Sequence, residues 1–330
     1  MRRLIIIIAV NLLTGSTVAQ SWPGLTHKPD TSYNNNAAYR SVIKTYPDAK
    51  IVPEFHSPLI TEQKDIIYCR VHLDSTVRKL IVDAFYPKEK GKTKRIAIII
   101  IHGGGWRSGN RTQHYALAQR LASLGYACFT PEYRLSTEAL FPAAVYDIKA
   151  AVRWLKQNAK KYNVDTNKIT ALGFSAGGEL ASFMGTTNSN INFEDRECNA
   201  RTSSNIQAVV DIDGTLSFVH VESSEGDDTK RVSAATNWFG ASKKDDLELW
   251  KRASPLTYAG KTTPPTLFIN SSIDRMHAGR EDYIKILKEY NVYTEIHRFE
   301  NSPHHFCLMD PWFEPTVKYI DDFLKKVFKH

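Results

Sequence analysis

The 330-residue chain predicts an α/β fold: a mostly parallel central sheet with helices on both faces and a small cap insertion. Two observations predict it. Strand-like runs alternate with helical runs of about 10–20 residues, the pattern of a sheet whose parallel strands are joined by helical crossovers. In addition, Arg95-Ile-Ala-Ile-Ile-Ile-Ile101 is an unbroken β-branched run, as expected of a central strand covered on both faces.

Strand candidates lie near Tyr68, Leu80 and Ile98, followed by a helix from Gln113 to Leu124 and a strand at Tyr126–Thr130. The next helix follows Phe141: Ala144, Ile148, Ala151 and Leu155 recur at helical spacing, and Pro142 suits a first turn. Lys168–Leu172 is a strand that passes through Gly173-Phe-Ser-Ala-Gly177 into a helix. Further strands are expected at Ile206–Ile212, Pro265–Asn270 and Val292–Phe299. A closing helix, Pro315–Phe328, places Val317, Ile320, Phe323 and Leu324 on one face. Residues 216–245 break the alternation. They are polar, dotted with glycine, and carry Trp238-Phe239. They are read as a cap-like insertion in which Trp238 lines the substrate wall, with a surface loop as the alternative.

The ends and the cysteines bound the organisation. Met1-Arg-Arg, the apolar run Leu4–Leu13 and Thr17-Val-Ala19 read as a secretory signal over residues 1–19, its apolar core too short to span a bilayer stably. Its removal takes the formal charge from +8 to +6, since the segment holds two arginines and no acid. Residues 20–60 read as an extended arm and 61–330 as one catalytic domain. Four cysteines, Cys69, Cys128, Cys198 and Cys307, allow three full pairings, the alternative being that Cys69 and Cys128, in strand-like runs, are simply buried thiols. No Cys-x-x-Cys and no metal-ligand cluster stands in the sequence, so neither metal nor cofactor is expected. Nor is a nucleic-acid partner, which would need a broad basic patch interleaved with aromatics.

The chemistry is carried by four segments. Gly173-Phe-Ser175-Ala-Gly177 sits where a strand turns into a helix, the context in which such a serine is a nucleophile held clear of the backbone. His102-Gly-Gly-Gly-Trp106 follows the central strand. Its glycines free the backbone to present N–H groups to a developing oxyanion, an interaction measured at roughly 3–4 kcal/mol per donor. The donors expected are Gly104, Gly105 and Ala176, with His102 fixing the loop. Asp274, just past the strand ending at Asn270, is the expected acid, since functional residues collect at the C-terminal ends of parallel strands. Glu281 and Asp282 are its alternatives. His304, after Pro303 in the loop beyond the last strand, is preferred to His305 as the base.

The order Ser175, Asp274, His304 is that of the α/β-hydrolase triad. With the HGGGW and GFSAG motifs, Asp83-Ala-Phe-Tyr-Pro87 and Pro131-Glu-Tyr-Arg-Leu135, the chain resembles α/β-hydrolase-fold esterases. It is similar to hormone-sensitive-lipase-like esterases, bifunctional feruloyl/acetyl-xylan esterases and pectin esterases, from about Ile66 to Phe328. The resemblance implies a serine esterase, which the signal-like segment 1–19 would send to a secreted or periplasmic location. It would remove methyl or acetyl groups from an esterified plant polysaccharide or oligosaccharide, with no stable membrane insertion. Trp106, Arg107, Arg275, Arg280 and Trp238 are the expected substrate-binding residues, and these arginines with Arg111 favour a pectic, uronate-bearing substrate. The alternative substrates are acetylated and feruloylated xylan. The alternative of another class is a binding protein of this fold without catalysis.

Overall fold

A computed structural model describes residues 22–73, 76–195 and 197–329. The signal-like segment 1–19 lies outside the described residues. The expected α/β architecture is present. Its elements run α1 (Asn35–Val42), β1 (Lys50–Ile51), β2 (Ile60–Leu73), β3 (Thr76–Pro87), β4 (Arg95–Ile101), α2 (Tyr115–Ser123), β5 (Ala127–Pro131), α3 (Ala143–Gln157), α4 (Ala159–Tyr162), β6 (Val164–Phe174) and α5 (Ala176–Thr186). They continue through β7 (Ala208–Ile212), α6 (Ala234–Phe239), α7 (Leu247–Arg252), β8 (Thr266–Asn270), α8 (Arg280–Glu289), β9 (Thr294–Arg298), β10 (Met309–Asp310) and α9 (Phe313–Phe328).

The main sheet has the order β2-β3-β5-β4-β6-β7-β8-β9. β2, β3 and β5 are joined antiparallel and every pairing from β5 to β9 is parallel. β4 shows why its run is apolar throughout. Side chains alternate across a strand, so Ala97, Ile99 and Ile101 enter the core under α3 and α5, while Ile96, Ile98 and Ile100 enter the core under α2 and α9. Both faces are covered, and the C-terminal ends of the parallel strands are left to loops, which is where such a sheet gathers its chemistry.

Two expectations are revised. The segment after residue 20 is not simply extended: the Asn34 side chain caps α1, and β1 pairs with β10. The insertion at 216–245, polar in sequence, turns its aromatics inward. Trp238 and Phe239 of α6 join Trp250 of α7 and Phe218 in the core, all essentially unexposed. Its acidic turn is spent on α6: Asp228 accepts hydrogen bonds from the Ser233 N–H and the Thr236 hydroxyl, and Glu225 accepts from the Ala235 N–H. Of the cysteines, Cys69 on β2 and Cys198 form a disulfide, while Cys128 and Cys307 are buried thiols.

Candidate active site

Ser175 sits between β6 and α5 with φ 57° and ψ −121°, a conformation costly for a residue with a Cβ and characteristic of functional turns. The neighbouring glycines make the turn possible. A Cβ on Gly173 would lie 1.9 Å from the Gly177 carbonyl oxygen, and one on Gly177 would lie 2.1 Å from that of Ile101. The Ser175 N–H donates to the Ile212 carbonyl at 2.8 Å, tying the turn to the end of β7.

Ser175 Oγ is 2.8 Å from His304 Nε2, and His304 Nδ1 is 2.9 Å from Asp213 Oδ2. Asp213 is a fully buried carboxylate at the residue after β7, in left-handed backbone geometry with φ 52°. Its other oxygen accepts from the Ser271 N–H at 2.8 Å and from Asn270 Nδ2 at 3.4 Å. Asn270 in turn accepts from Arg280 Nη1 at 2.6 Å. An imidazole that donates from Nδ1 to a carboxylate is left with Nε2 as an acceptor, the tautomer that can take a proton from the serine hydroxyl.

The structure therefore brings together Ser175 and His304 as expected, but with Asp213 in place of Asp274. Asp274 lies in a short turn with its side chain 70% exposed and pairs with Arg298 at 3.2 Å. The loop after β8 folds outward at that point, and the space beside His304 is already filled by the Asp213 carboxylate. Neither alternative acid replaces it: Glu281 pairs with Arg280 and Asp282 lies 3.5 Å from His220. The sequence does hold a signal for Asp213, since Asp211-Ile-Asp213-Gly214 ends an apolar strand run as clearly as Ser271–Asp274 follows one.

His305 is turned away from the serine, its ring against Tyr33 and Phe174. Burial pushes it down to about 3, which keeps it neutral. His102 is likewise pushed down to about 4 by burial. It stacks on Tyr133 with centroids 4.3 Å apart, and the Tyr133 hydroxyl donates to its carbonyl. With Gln113 accepting from the Gly103 N–H at 2.8 Å, this fixes the entry to the glycine loop. Gly104 (φ +125°) and Gly105 (φ +60°) then take conformations that a side chain would resist. Among the described residues, neither of their N–H groups donates to a protein acceptor. Ala176 opens α5, where the first N–H groups have no intrahelical partner.

The expected substrate-binding residues fare differently. Trp106 and Trp238 are both buried and stack on each other at 4.8 Å with planes 4° apart. They back the glycine loop, and a wall contact for Trp238 is ruled out by its lack of exposure. Trp106 Nε1 also donates to Glu179 Oε2 at 2.9 Å. Arg280 is committed to Asn270 and Glu281, and Arg111 to Asp83, Glu132 and Asp65. Arg107 is half-buried with Nη1 unpartnered. Arg275 is exposed, its nearest polar contact the Ser224 hydroxyl at 3.4 Å. Beneath the site, burial raises Glu179 well above the ordinary carboxylate range and Asp211 to about 7. No group of three or more metal-ligating side chains with suitable geometry occurs among the described residues.

Sheet order, nucleophile turn and serine–histidine–carboxylate geometry define an α/β-hydrolase-fold protein with an esterase-type site. The BD-FAE family model matches residues 82–279, and the chain belongs to that family. Esterase LipC of Mycobacterium tuberculosis is 28% identical over 59% of this chain and 48% of its own length. Esterase LipQ of the same organism is 26% identical over 74% and 56%. The chain thus spans about half the length of these curated relatives. Among solved structures, a truncated carbohydrate esterase from gut microbiota superposes with a TM-score of 0.66 at 24% identity, over 83% of this chain and 99% of that one. Esterase 2 of Thermogutta terrifontis, with butyrate bound, gives 0.66 at 23% identity over 82% and 95%. At these identities the structural likeness speaks for the fold.

Proposed function

We propose that the chain is a serine carboxylic-ester hydrolase acting through Ser175, His304 and Asp213. The single observation that carries this is the continuous Ser175–His304–Asp213 hydrogen-bonded line. His304 Nε2 takes the Ser175 hydroxyl proton as Oγ bonds to the ester carbonyl carbon, and the carbonyl oxygen becomes an oxyanion. Gly104, Gly105 and Ala176 supply the N–H donors that receive that charge. His304 then gives its proton to the departing alkoxide oxygen as the C–O bond breaks. Water repeats the sequence, releasing the acid and restoring Ser175. The buried Asp213 carboxylate holds the ring and balances the transient imidazolium charge.

The substrate we infer is a polysaccharide or oligosaccharide bearing methyl or acetyl esters, with pectic chains favoured. The family membership and the similarity to an esterase described as acting on carbohydrate support the class. Support for a uronate rests on Arg275 and Arg107, since Arg111 and Arg280 are engaged internally. Acetylated xylan is the second reading, favoured by the compact surroundings of the glycine loop: a Cβ on Gly105 would meet Ala234 at 3.1 Å, with Trp238 and Phe239 packed on the same helix. Secretion is part of the proposal. The signal-like segment 1–19 supports it, and so does the Cys69–Cys198 disulfide, a bond that persists in oxidising compartments.

Incubation with methyl-esterified, acetylated pectin and with acetylated xylan, read by NMR of the small products, tests the assignment. Methanol release identifies a uronate methylesterase, whereas acetate alone identifies a deacetylase. Neither product from either polymer, with a simple acetate ester still cleaved, would contradict the polysaccharide reading.

A further inference from the structure

The region matched by the family model starts at residue 82, yet Asp30–Tyr33 lies directly against the glycine loop, and the residues from Trp22 before it pack on elements that flank that loop. We propose that this N-terminal segment is a working part of the active site, in which Asp30 is a positioning residue that holds Ser108, and through it the Gly104–Gly105 turn, in the geometry that receives the oxyanion. The inference rests on the ester-hydrolase reading.

The connections are specific. Asp30 and Ser108 form a parallel β-bridge, and the Gly109 N–H donates to the Asp30 carbonyl at 3.0 Å. The Ser108 hydroxyl donates to Asp30 Oδ1 at 3.2 Å and accepts from the Tyr33 N–H at 2.9 Å. The Asp30 carboxylate is itself oriented by the Ser32 N–H at 2.9 Å. Ser108 passes this restraint on. Its own N–H, at 3.1 Å, and that of Arg107, at 3.2 Å, both donate to the Gly104 carbonyl and close the turn. At Gly104 the packing is tight enough that a Cβ would fall 1.8 Å from the Ser108 carbonyl oxygen and 3.2 Å from the Tyr33 ring.

The start of the segment meets two elements that flank the loop, α6 and the turn at Ser136–Thr137, whose Ser136 N–H donates to the Trp106 carbonyl at 2.7 Å. The Thr26 and His27 N–H groups donate to the Thr137 carbonyl at 2.9 and 2.8 Å. A Cβ on Gly24 would lie 3.2 Å from Asn237 Oδ1 of α6, the helix whose Ala234 faces Gly105. The loop is therefore gripped from Asp30 on one side and from α6, itself abutted by the segment, on the other. Preorganised donors stabilise an oxyanion because they need not reorient as charge develops. Loosening Ser108 removes that advantage without touching Ser175 or His304.

Asp30→Ala, Ser108→Ala and Asp30→Asn are compared with the wild-type chain by steady-state hydrolysis of p-nitrophenyl acetate and by the rate of fluorophosphonate labelling. Both alanine variants are expected to lose about 10- to 100-fold in kcat with KM within about threefold, the signature of an interaction made in the transition state. Labelling should slow in parallel, because the phosphonyl oxygen occupies the same donors. Asp30→Asn keeps an acceptor oxygen for Ser108 and should recover most of the activity. Wild-type kcat in either folded alanine variant, a change confined to KM, or an equal loss in Asp30→Asn would overturn the proposal. Circular dichroism identifies a variant that fails to fold, and the remaining ones then decide. A wild-type chain that neither labels nor hydrolyses the ester refutes the underlying reading instead, so the two failures are distinguishable.

Discussion

Asp213 lies one residue past β7 and His304 in the loop beyond β9, yet their side chains meet at 2.9 Å. The carboxylate comes from the strand next to the nucleophile strand, not from the following one, where Asp274 stands. β7 pairs with β6 along its whole length, and Ser175 is hydrogen-bonded to Ile212. Serine and acid are thus fixed on adjacent strand ends, and the histidine has only to reach across them.

The two adjacent histidines should separate cleanly. Ser175→Ala is expected to abolish fluorophosphonate labelling, and His304→Ala to lower kcat by about 1,000-fold or more, as loss of a triad member does elsewhere. His305→Ala should stay within about tenfold of wild type, since His305 packs against Tyr33 and Phe174 and has no bond to the serine. Equal losses at the two histidines, measured on one acetate ester, would refute the assignment of the base.

Glu179 makes a pH-dependent prediction. Burial raises its carboxyl well above its ordinary value of 4.5, so the folded chain keeps a proton that the unfolded chain releases. Stability from this group is undiminished below 4.5 and falls as pH rises from there toward the folded value. Glu179→Gln is uncharged and retains an acceptor for Trp106 Nε1. The variant should match wild type in thermal midpoint near pH 4.5 and exceed it increasingly at pH 7 to 8, with kcat within about threefold at pH 7. A midpoint difference that does not change with pH would show that Glu179 is ionised in the fold.

The disulfide makes a third. Cys69 and Cys198 are 129 residues apart, and closing a loop of that size in the unfolded chain is worth at most about 5 kcal/mol. The double variant Cys69→Ser, Cys198→Ser should melt lower by about 5 °C or more. Its activity at 25 °C should persist, because β2 is the sheet edge farthest from β9. Thiol titration should find no reactive group in the folded protein, two after unreduced unfolding and four after reduction, matching the buried Cys128 and Cys307. Four titratable thiols without reductant would remove the bond.

Much of this site is legible in the sequence because its constraints are local. The glycines around Ser175 and the run Arg95–Ile101 are dictated by backbone clashes and by burial on two faces, both of which act within a few residues. His304 is legible because one loop after the last strand holds it. The acid is not, since Asp211, Asp213 and Asp274 all sit near strand ends and only the fold of the loops decides which reaches the histidine. Trp238 is misread for a related reason: a polar segment hides the inward face of a six-residue helix. The contribution of Asp30 is invisible locally, because its partner Ser108 is 78 residues away.

Asp213→Asn and Asp274→Asn, compared by kcat/KM for a simple acetate ester, decide which carboxylate serves His304. Asparagine at 213 keeps the shape but can turn the histidine to the wrong tautomer, a change that costs about 10,000-fold in a triad of the same geometry on an unrelated fold. Asp213→Asn is expected to lose about 1,000-fold or more and Asp274→Asn less than about fivefold, with Asp213 as the triad acid. A full loss at Asp274 with activity retained at Asp213 would contradict that assignment.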